Sequence, residues 1–244
     1  MQRIEGEDLP ELVRRHRGAW GQGTFLRRLR QSELSALTAA GTVVAFGPGE
    51  PIVTEGEAGT DVFLLLSSTV KVTSRAGEGR RRLLAVRAGG DVIGELAALE
   101  GQPRAATVEV RGREPAYAVR LDGPRFLQLM RELPDALLVL AASVARKLGA
   151  ATRRRSGSGC SAAVRLAGAV ADMAEDYGRR TSPRRTDVAI GVDLTQAEWG
   201  ALIGVSESTA YRALQVLKSH RLVSVEYRRT VVRHLPELRA FAQA

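Results

Sequence analysis

The sequence predicts an α+β fold: an N-terminal antiparallel β-roll, one long helix, and a C-terminal domain of short helices ending in a two-stranded wing. Three observations carry this. From Thr42 to Leu121, short apolar runs are separated by glycine-containing turns, the pattern of antiparallel strands closing into a roll. From Pro134 to about Arg155 the apolar residues recur at four- and three-residue steps, a helical period. After Ser156-Gly157-Ser158-Gly159, short helical periods return and give way to two strand-like runs.

Residues 1–23 are polar and glycine-interrupted and read as an arm. Phe25 to Ala40 has helical spacing through Phe25, Leu26, Leu29, Leu34 and Leu37, and Gly41 supplies a stop. The roll occupies 24–133. Its strands are expected at Thr42–Phe46, Ile52–Thr54, Asp61–Ser67, Val70–Ser74 and Arg81–Arg87, with Val92-Ile93, Ala105–Arg111 and Ala116–Leu121 completing it. The breaks are Gly47-Pro48-Gly49, Gly56-Glu57-Ala58-Gly59 and Ala76-Gly77-Glu78-Gly79. Pro124–Leu133 reads as a short helix, and Pro134 opens the next, where its missing N–H does no harm. In the helix 134–155, Leu137, Ala141, Val144, Leu148 and Ala151 form a coiled-coil seam that predicts a homodimer, while Leu138, Leu140 and Ala145 offer a second apolar face. Residues 156–160 read as a hinge, with Arg153-Arg154-Arg155 a solvated helix end before it.

The C-terminal domain, 161–244, opens with an alanine-rich amphipathic helix, Ala162–Tyr177, followed by a basic stretch, Gly178–Thr186, and a strand at Val188–Val192. Thr195 and Glu198 form a capping box that starts a helix, and Gly204 supplies the turn that ends it. Ser206 caps a second helix running to about His220, with Ala210, Leu214, Val216 and Leu217 as its apolar side. Two helices joined by a short glycine turn make a helix-turn-helix, and Leu222–Val225 with Thr230–Arg233 read as its wing. Thr195, Gln196, Ser206, Glu207, Ser208, Thr209, Tyr211 and Arg212 put polar groups at the helix starts, where base edges are read, and Lys218 adds a cation for phosphate. Double-stranded DNA is the partner this arrangement fits.

Charge agrees. The 244 residues carry a formal net charge of +9, of which residues 151–244 hold +6. A single cysteine, Cys160, excludes an internal disulfide or a cysteine-ligated cluster. The three histidines, His16, His220 and His234, all lie outside the expected strands, so a metal enzyme built inside the roll is excluded and no catalytic constellation appears. No apolar run is long enough to span a bilayer, which leaves a cytoplasmic protein as the expectation. Within the roll, Gly94-Glu95-Leu96-Ala97-Ala98-Leu99 precedes Pro103-Arg104-Ala105-Ala106-Thr107-Val108. A glycine and carboxylate opening a short helical turn, with one arginine beyond, suit a phosphate held by backbone N–H groups and a guanidinium, with the carboxylate on a sugar.

With both halves in view, the chain resembles the cyclic-AMP receptor protein/fumarate-nitrate regulator (Crp/Fnr) family of bacterial transcription regulators over roughly residues 25–235. The most specific matches are Phe46-Gly47-Pro48-Gly49-Glu50, the stretch 94–108, and Gly204-Val205-Ser206-Glu207-Ser208-Thr209. The resemblance implies a cyclic-nucleotide effector, cAMP first, and no cofactor. It assigns the ribose hydroxyl to Glu95, the cyclic phosphate to Arg104 with the backbone of Gly94, Leu96 and Ala105, the pocket floor to Leu84 and Ala85, and the adenine to Ala151 and Thr152. RNA polymerase is an implied partner. Three departures stand out: Ala105 lacks the hydroxyl many members carry, Ala151 offers no side-chain hydrogen bond to a base, and Glu207 and Ser208 replace the family's Arg and Glu. They keep open another effector, such as a cyclic dinucleotide, or none, and imply a different operator. A signalling module acting by protein contact is the more distant alternative. Ser68 also stands where the family has a turn glycine.

Overall fold

The apolar runs of the roll alternate between two different cores, which is why they read as nearly continuous. The computed structural model describes residues 1–4, 8–76, 80–111, 113–156, 159–180, 187–192, 194–226 and 229–244. The chain divides into two compact units, Met1–Val144 and Ala145–Ala244.

In the first unit, β1 (Gln2–Arg3) leads to three helices, α1 (Leu9–Arg17), α2 (Phe25–Arg28) and α3 (Gln31–Ala39). Six strands, a helix, two more strands and a helix follow, and they do not simply stack in order. The sequence runs β2 (Thr42–Phe46), β3 (Pro51–Val53), β4 (Val62–Leu65), β5 (Thr69–Ala76), β6 (Arg80–Ala88), β7 (Val92–Ile93), α4 (Glu95–Glu100), β8 (Thr107–Val110), β9 (Ala116–Leu121) and α5 (Gly123–Glu132). These strands form a five-stranded sheet, β1-β2-β9-β4-β7, and a four-stranded sheet, β3-β8-β5-β6, both antiparallel. Along β4 and its continuation, Val62, Leu64 and Leu66 pack with the helical side, including Phe25, Leu34 and Phe126, while Phe63 and Leu65 pack with Ile52, Val70 and Val108 of the second sheet. A strand buried on both faces shows no polar alternation.

Two expectations are corrected here. Residues 1–23 are not merely an arm: α1 buries Leu12 and Val13, and Trp20, 4% exposed, donates its indole N–H to the Leu66 carbonyl at 2.7 Å. Its glycines lie beside that anchor and mask it in the sequence. Phe25–Ala40 is two helices, because Leu29 and Arg30 are extended (ψ 146° and 158°) and the Glu33 carboxylate accepts the Arg30 N–H at 2.8 Å, restarting the helix.

The long helix α6 (Pro134–Ser156) buries Ala136, Leu140 and Ser143, one line at four- and three-residue steps. Leu138 and Ala145 are exposed and do not join Leu140 in a second packed face, since they lie on the far side of the helix from that line. The seam residues Leu137, Ala141 and Leu148 are exposed, and Val144 and Ala151 half-buried. The hinge expected at 156–160 includes Gly157 and Ser158, outside the described residues.

The second unit packs α7 (Ala162–Tyr177), capped by the Ser161 hydroxyl, against α8 (Gln196–Ile203), α9 (Glu207–Ser219) and α10 (Leu235–Phe241). The expected two-stranded wing is part of a larger sheet. β10 (Arg179–Arg180), β11 (Val188–Ile190), β12 (Val223–Glu226) and β13 (Arg229–Val232) form one antiparallel sheet, β10-β11-β13-β12, because β11 pairs with β13 over Val188–Ile190. Residues 181–186 of the basic stretch and 227–228 of the wing turn lie outside the described residues. α10 has no counterpart in the sequence reading: its Leu-Pro-Glu start is a helix signal, but too short a run follows to show a period. Arg239 ties it to α7, reaching Asp172 at 2.8 Å and Glu175 at 2.6 Å.

Candidate functional site

In the first unit the loops close around Arg104. Its side chain is buried, 7% exposed, and its guanidinium donates to two backbone carbonyls, Gly94 at 3.2 Å and Asp61 at 2.8 Å. Among the described residues it makes no ion pair; the nearby Asp61 carboxylate is taken by Arg120 at 2.8 Å. Burial pushes the Arg104 guanidinium below its ordinary pKa, and the charges of Asp61, Glu57 and Glu95 oppose that push. The backbone braces it as well: Gly56 N–H donates to the Arg104 carbonyl at 2.8 Å, and Arg104 N–H to the Glu57 carbonyl at 3.0 Å. A buried cation whose hydrogen bonds go to carbonyl oxygens rather than to a paired carboxylate retains capacity for an anion.

Gly94 makes this possible. It takes φ +84°, and a Cβ there would stand 2.6 Å from Arg104 Nη1 and 2.6 Å from the Asp61 carbonyl oxygen. It also caps α4, whose first turn leaves the N–H groups of Glu95, Leu96 and Ala97 without intrahelical acceptors; the Ala98 N–H is the first to bond back, to Gly94 at 3.3 Å. Glu95 is buried, 7% exposed, while Leu96 and Ala105 are exposed. Leu84 and Ala85 lie on β6 at a register shift: Val72 pairs with Ala85 and Thr73 with Leu83, so Leu84 is the inserted residue of a β-bulge. A bulge lets neighbouring residues break the strict in–out alternation; Ala85 is buried and Leu84 half-buried. Gly94, Glu95 and Arg104 are thus brought together in this unit. Ala151, half-buried, and Thr152, exposed, belong to α6 within the second unit. The part played by the Asp61 carbonyl left no trace in the sequence, since any residue carries one.

In the second unit the capping box forms as expected: Thr195 N–H donates to Glu198 at 2.8 Å and Glu198 N–H to the Thr195 hydroxyl at 3.2 Å. Gly204 takes φ +70° at the end of α8, and Ser206 accepts from Thr209 N–H at 3.2 Å to start α9. Gly200 lets the turn fold back tightly, for a Cβ there would lie 2.8 Å from the Val205 carbonyl oxygen. Arg165 of α7 donates to the Ile203 carbonyl at 3.0 Å, fixing the end of α8, a contact the sequence did not signal. α9 buries Ala210, Ala213, Leu214 and Leu217; Val216 is 38% exposed and Ala213 takes the place expected for it, as the i, i+3, i+4, i+7 spacing requires. Thr195, Gln196, Ser206, Glu207, Ser208, Tyr211 and Arg212 are exposed, and Thr209 and Lys218 half-buried. The Arg212 guanidinium donates to the Thr209 hydroxyl at 3.4 Å.

Among the described residues no group of three or more His, Cys, Asp and Glu could hold a metal ion, and no helix is long and apolar enough to cross a membrane. Residues 43–132 match the cyclic nucleotide-binding domain family, and residues 164–241 the Crp-like helix-turn-helix domain family. The CRP-like cAMP-activated global transcriptional regulator of Mycobacterium tuberculosis is 28% identical over 193 residues, 75% of this chain and 80% of that protein. The cAMP-activated global transcriptional regulator CRP of Escherichia coli is 26% identical over 182 residues, 74% of this chain and 84% of that protein. Among solved structures, the c-di-GMP responsive global regulator CLP of Xanthomonas campestris superposes with a TM-score of 0.61 at 20% identity, covering 84% of this chain and 99% of that one. These relatives are regulators of transcription rather than enzymes.

Proposed function

We propose that this chain, which belongs to the Crp/Fnr family of transcription regulators, is a homodimeric cytoplasmic switch whose effector is cAMP. The observation that carries the effector reading is Arg104, a buried guanidinium braced by two carbonyls, without an ion pair among the described residues, beside the first turn of α4. A cyclic phosphate supplies the missing charge, and Glu95 receives the ribose hydroxyl. Leu84 and Ala85 floor the pocket, and Ala151 and Thr152 meet the base.

The dimer forms along Leu137, Ala141, Val144, Leu148 and Ala151 of α6, which the single chain leaves exposed or half-buried. Nucleotide binding then shifts a two-state balance in the placement of the two α9 helices, which a palindromic operator requires about 34 Å apart. Polymerase is engaged from the DNA-bound dimer. Calorimetric titration with cAMP tests the effector: binding to the wild-type protein and its loss in Arg104→Ala are expected, and no heat with wild type overturns cAMP while leaving DNA binding standing.

A second effector reading, a cyclic dinucleotide, is favoured by Ala151, which gives a purine no side-chain hydrogen bond, and by likeness to the c-di-GMP responsive regulator. Binding of c-di-GMP without binding of cAMP in the same titration would select it.

A further inference from the structure

The exposed face of α9 has a centre and two edges. At 100° per residue, Ser208, Arg212 and Gln215 lie within roughly 60° of one another, diametrically opposite the buried line Ala210, Ala213, Leu214 and Leu217. Glu207, Tyr211 and Lys218 fall along one edge, Thr209 and Val216 along the other. A helix seated in a major groove by its buried side turns this central line to the base edges, and its edges to the two phosphate walls. Gln215 is exposed, and among the described residues its amide makes no hydrogen bond, so donor and acceptor are both open. It is uncharged, and so adds nothing to phosphate attraction, which Lys218 supplies from the edge.

We infer that Gln215 is a specificity-determining residue that reads an adenine in each half-site. This rests on the reading of α9 as the major-groove helix. Gln presents its amide oxygen and NH₂ to adenine N6 and N7 as a bidentate pair, which no other base matches in the major groove. Ser208 and Gln215 are seven residues apart, about 10.5 Å along the axis, so Gln215 meets a base pair about three steps from the one facing Ser208.

The test is selection of bound duplexes from a randomised library by the full-length protein, with and without cAMP, for wild type, Gln215→Ala and Gln215→Glu, followed by affinities for the selected duplex and its single-base variants. Wild type should select an adenine at one position per half-site. Gln215→Ala should lower discrimination there from about tenfold or more to less than twofold, with other positions and the salt slope unchanged. Gln215→Glu should move the preference to cytosine, whose N4 a carboxylate accepts. Both variants lie on an exposed position, and their unfolding transitions should match wild type. Unchanged preference, or a uniform loss of affinity at all positions, overturns the role of Gln215. Failure of wild type to select any duplex with cAMP, with c-di-GMP or without effector overturns the reading of α9 itself.

Discussion

Arg104 is the residue on which the proposed ligand site turns. Its fork is satisfied on one side by the carbonyls of Gly94 and Asp61, a geometry that holds it planar and aimed without neutralising it. A lysine keeps the charge but not the fork. Arg104→Lys should therefore bind nucleotide about 10–100-fold more weakly than wild type by calorimetry, with its thermal stability retained. Ser68 is one of two described non-glycine residues, with Arg221, whose backbone is left-handed. It takes φ +67° in the turn before β5, and its buried hydroxyl has no hydrogen-bond partner among the described residues. Left-handed backbone costs a non-glycine residue about 1–2 kcal/mol. Ser68→Gly should stabilise the first unit by about 1 kcal/mol, raising its melting temperature by about 2–4 °C in scanning calorimetry.

Elements are positioned by contacts of this kind from beyond their own span. The carboxylate of Asp172, 6% exposed on α7, accepts from Arg239 of α10 at 2.8 Å and from Arg153 of α6 at 3.4 Å. Hydrogen bonds that its guanidinium donates to Glu175 and Asp172 hold Arg239 charged, its pKa raised despite burial. Gly149 fits the same arrangement: a Cβ there would stand 3.3 Å from Arg153 Nη1, so the glycine leaves the arginine room to lie back along the helix. Asp172→Ala leaves two guanidinium groups without this acceptor and should destabilise the second unit by about 1–3 kcal/mol in denaturant unfolding. Its effect on the recognition helix should be secondary, since α9 is held by Ala210, Ala213, Leu214 and Leu217 and by the cap at Ser206. The Thr195–Glu198 capping box, the Gly204 stop and the helix-turn-helix spacing were legible in the sequence because each is local chemistry within three or four residues. The break at Leu29-Arg30, the larger wing sheet and α10 were not, because each depends on a partner far along the chain or on a run too short to show a period.

For the molecule as a whole, the proposed dimer is the feature on which DNA reading depends. Leu137 is 41% and Leu148 67% exposed in the single chain, apolar surface that one copy leaves in water. Replacing both, Leu137→Lys with Leu148→Lys, should weaken the dimer by at least about a hundredfold in sedimentation velocity, because burying the new charges in the seam is opposed by their hydration. Each chain should keep its fold, as neither side chain is part of a core. Affinity for a palindromic duplex should fall with the dimer, while ligand binding through Arg104 and Glu95 is retained.

From the sequence alone came the class of the chain, its two-part layout, and the residue types of the two candidate sites. Those rest on periodicity, turn chemistry and the local order Gly94-Glu95 and Arg104, all of which act over a few residues. The folded chain was needed to show that the N-terminal segment is packed rather than loose, that Arg104 is held by backbone carbonyls and left without an ion pair among the described residues, and that Gln215 stands at the centre of the exposed face of α9. Carbonyls are the same at every residue, and a helix shows which face it buries only once its neighbours are in place.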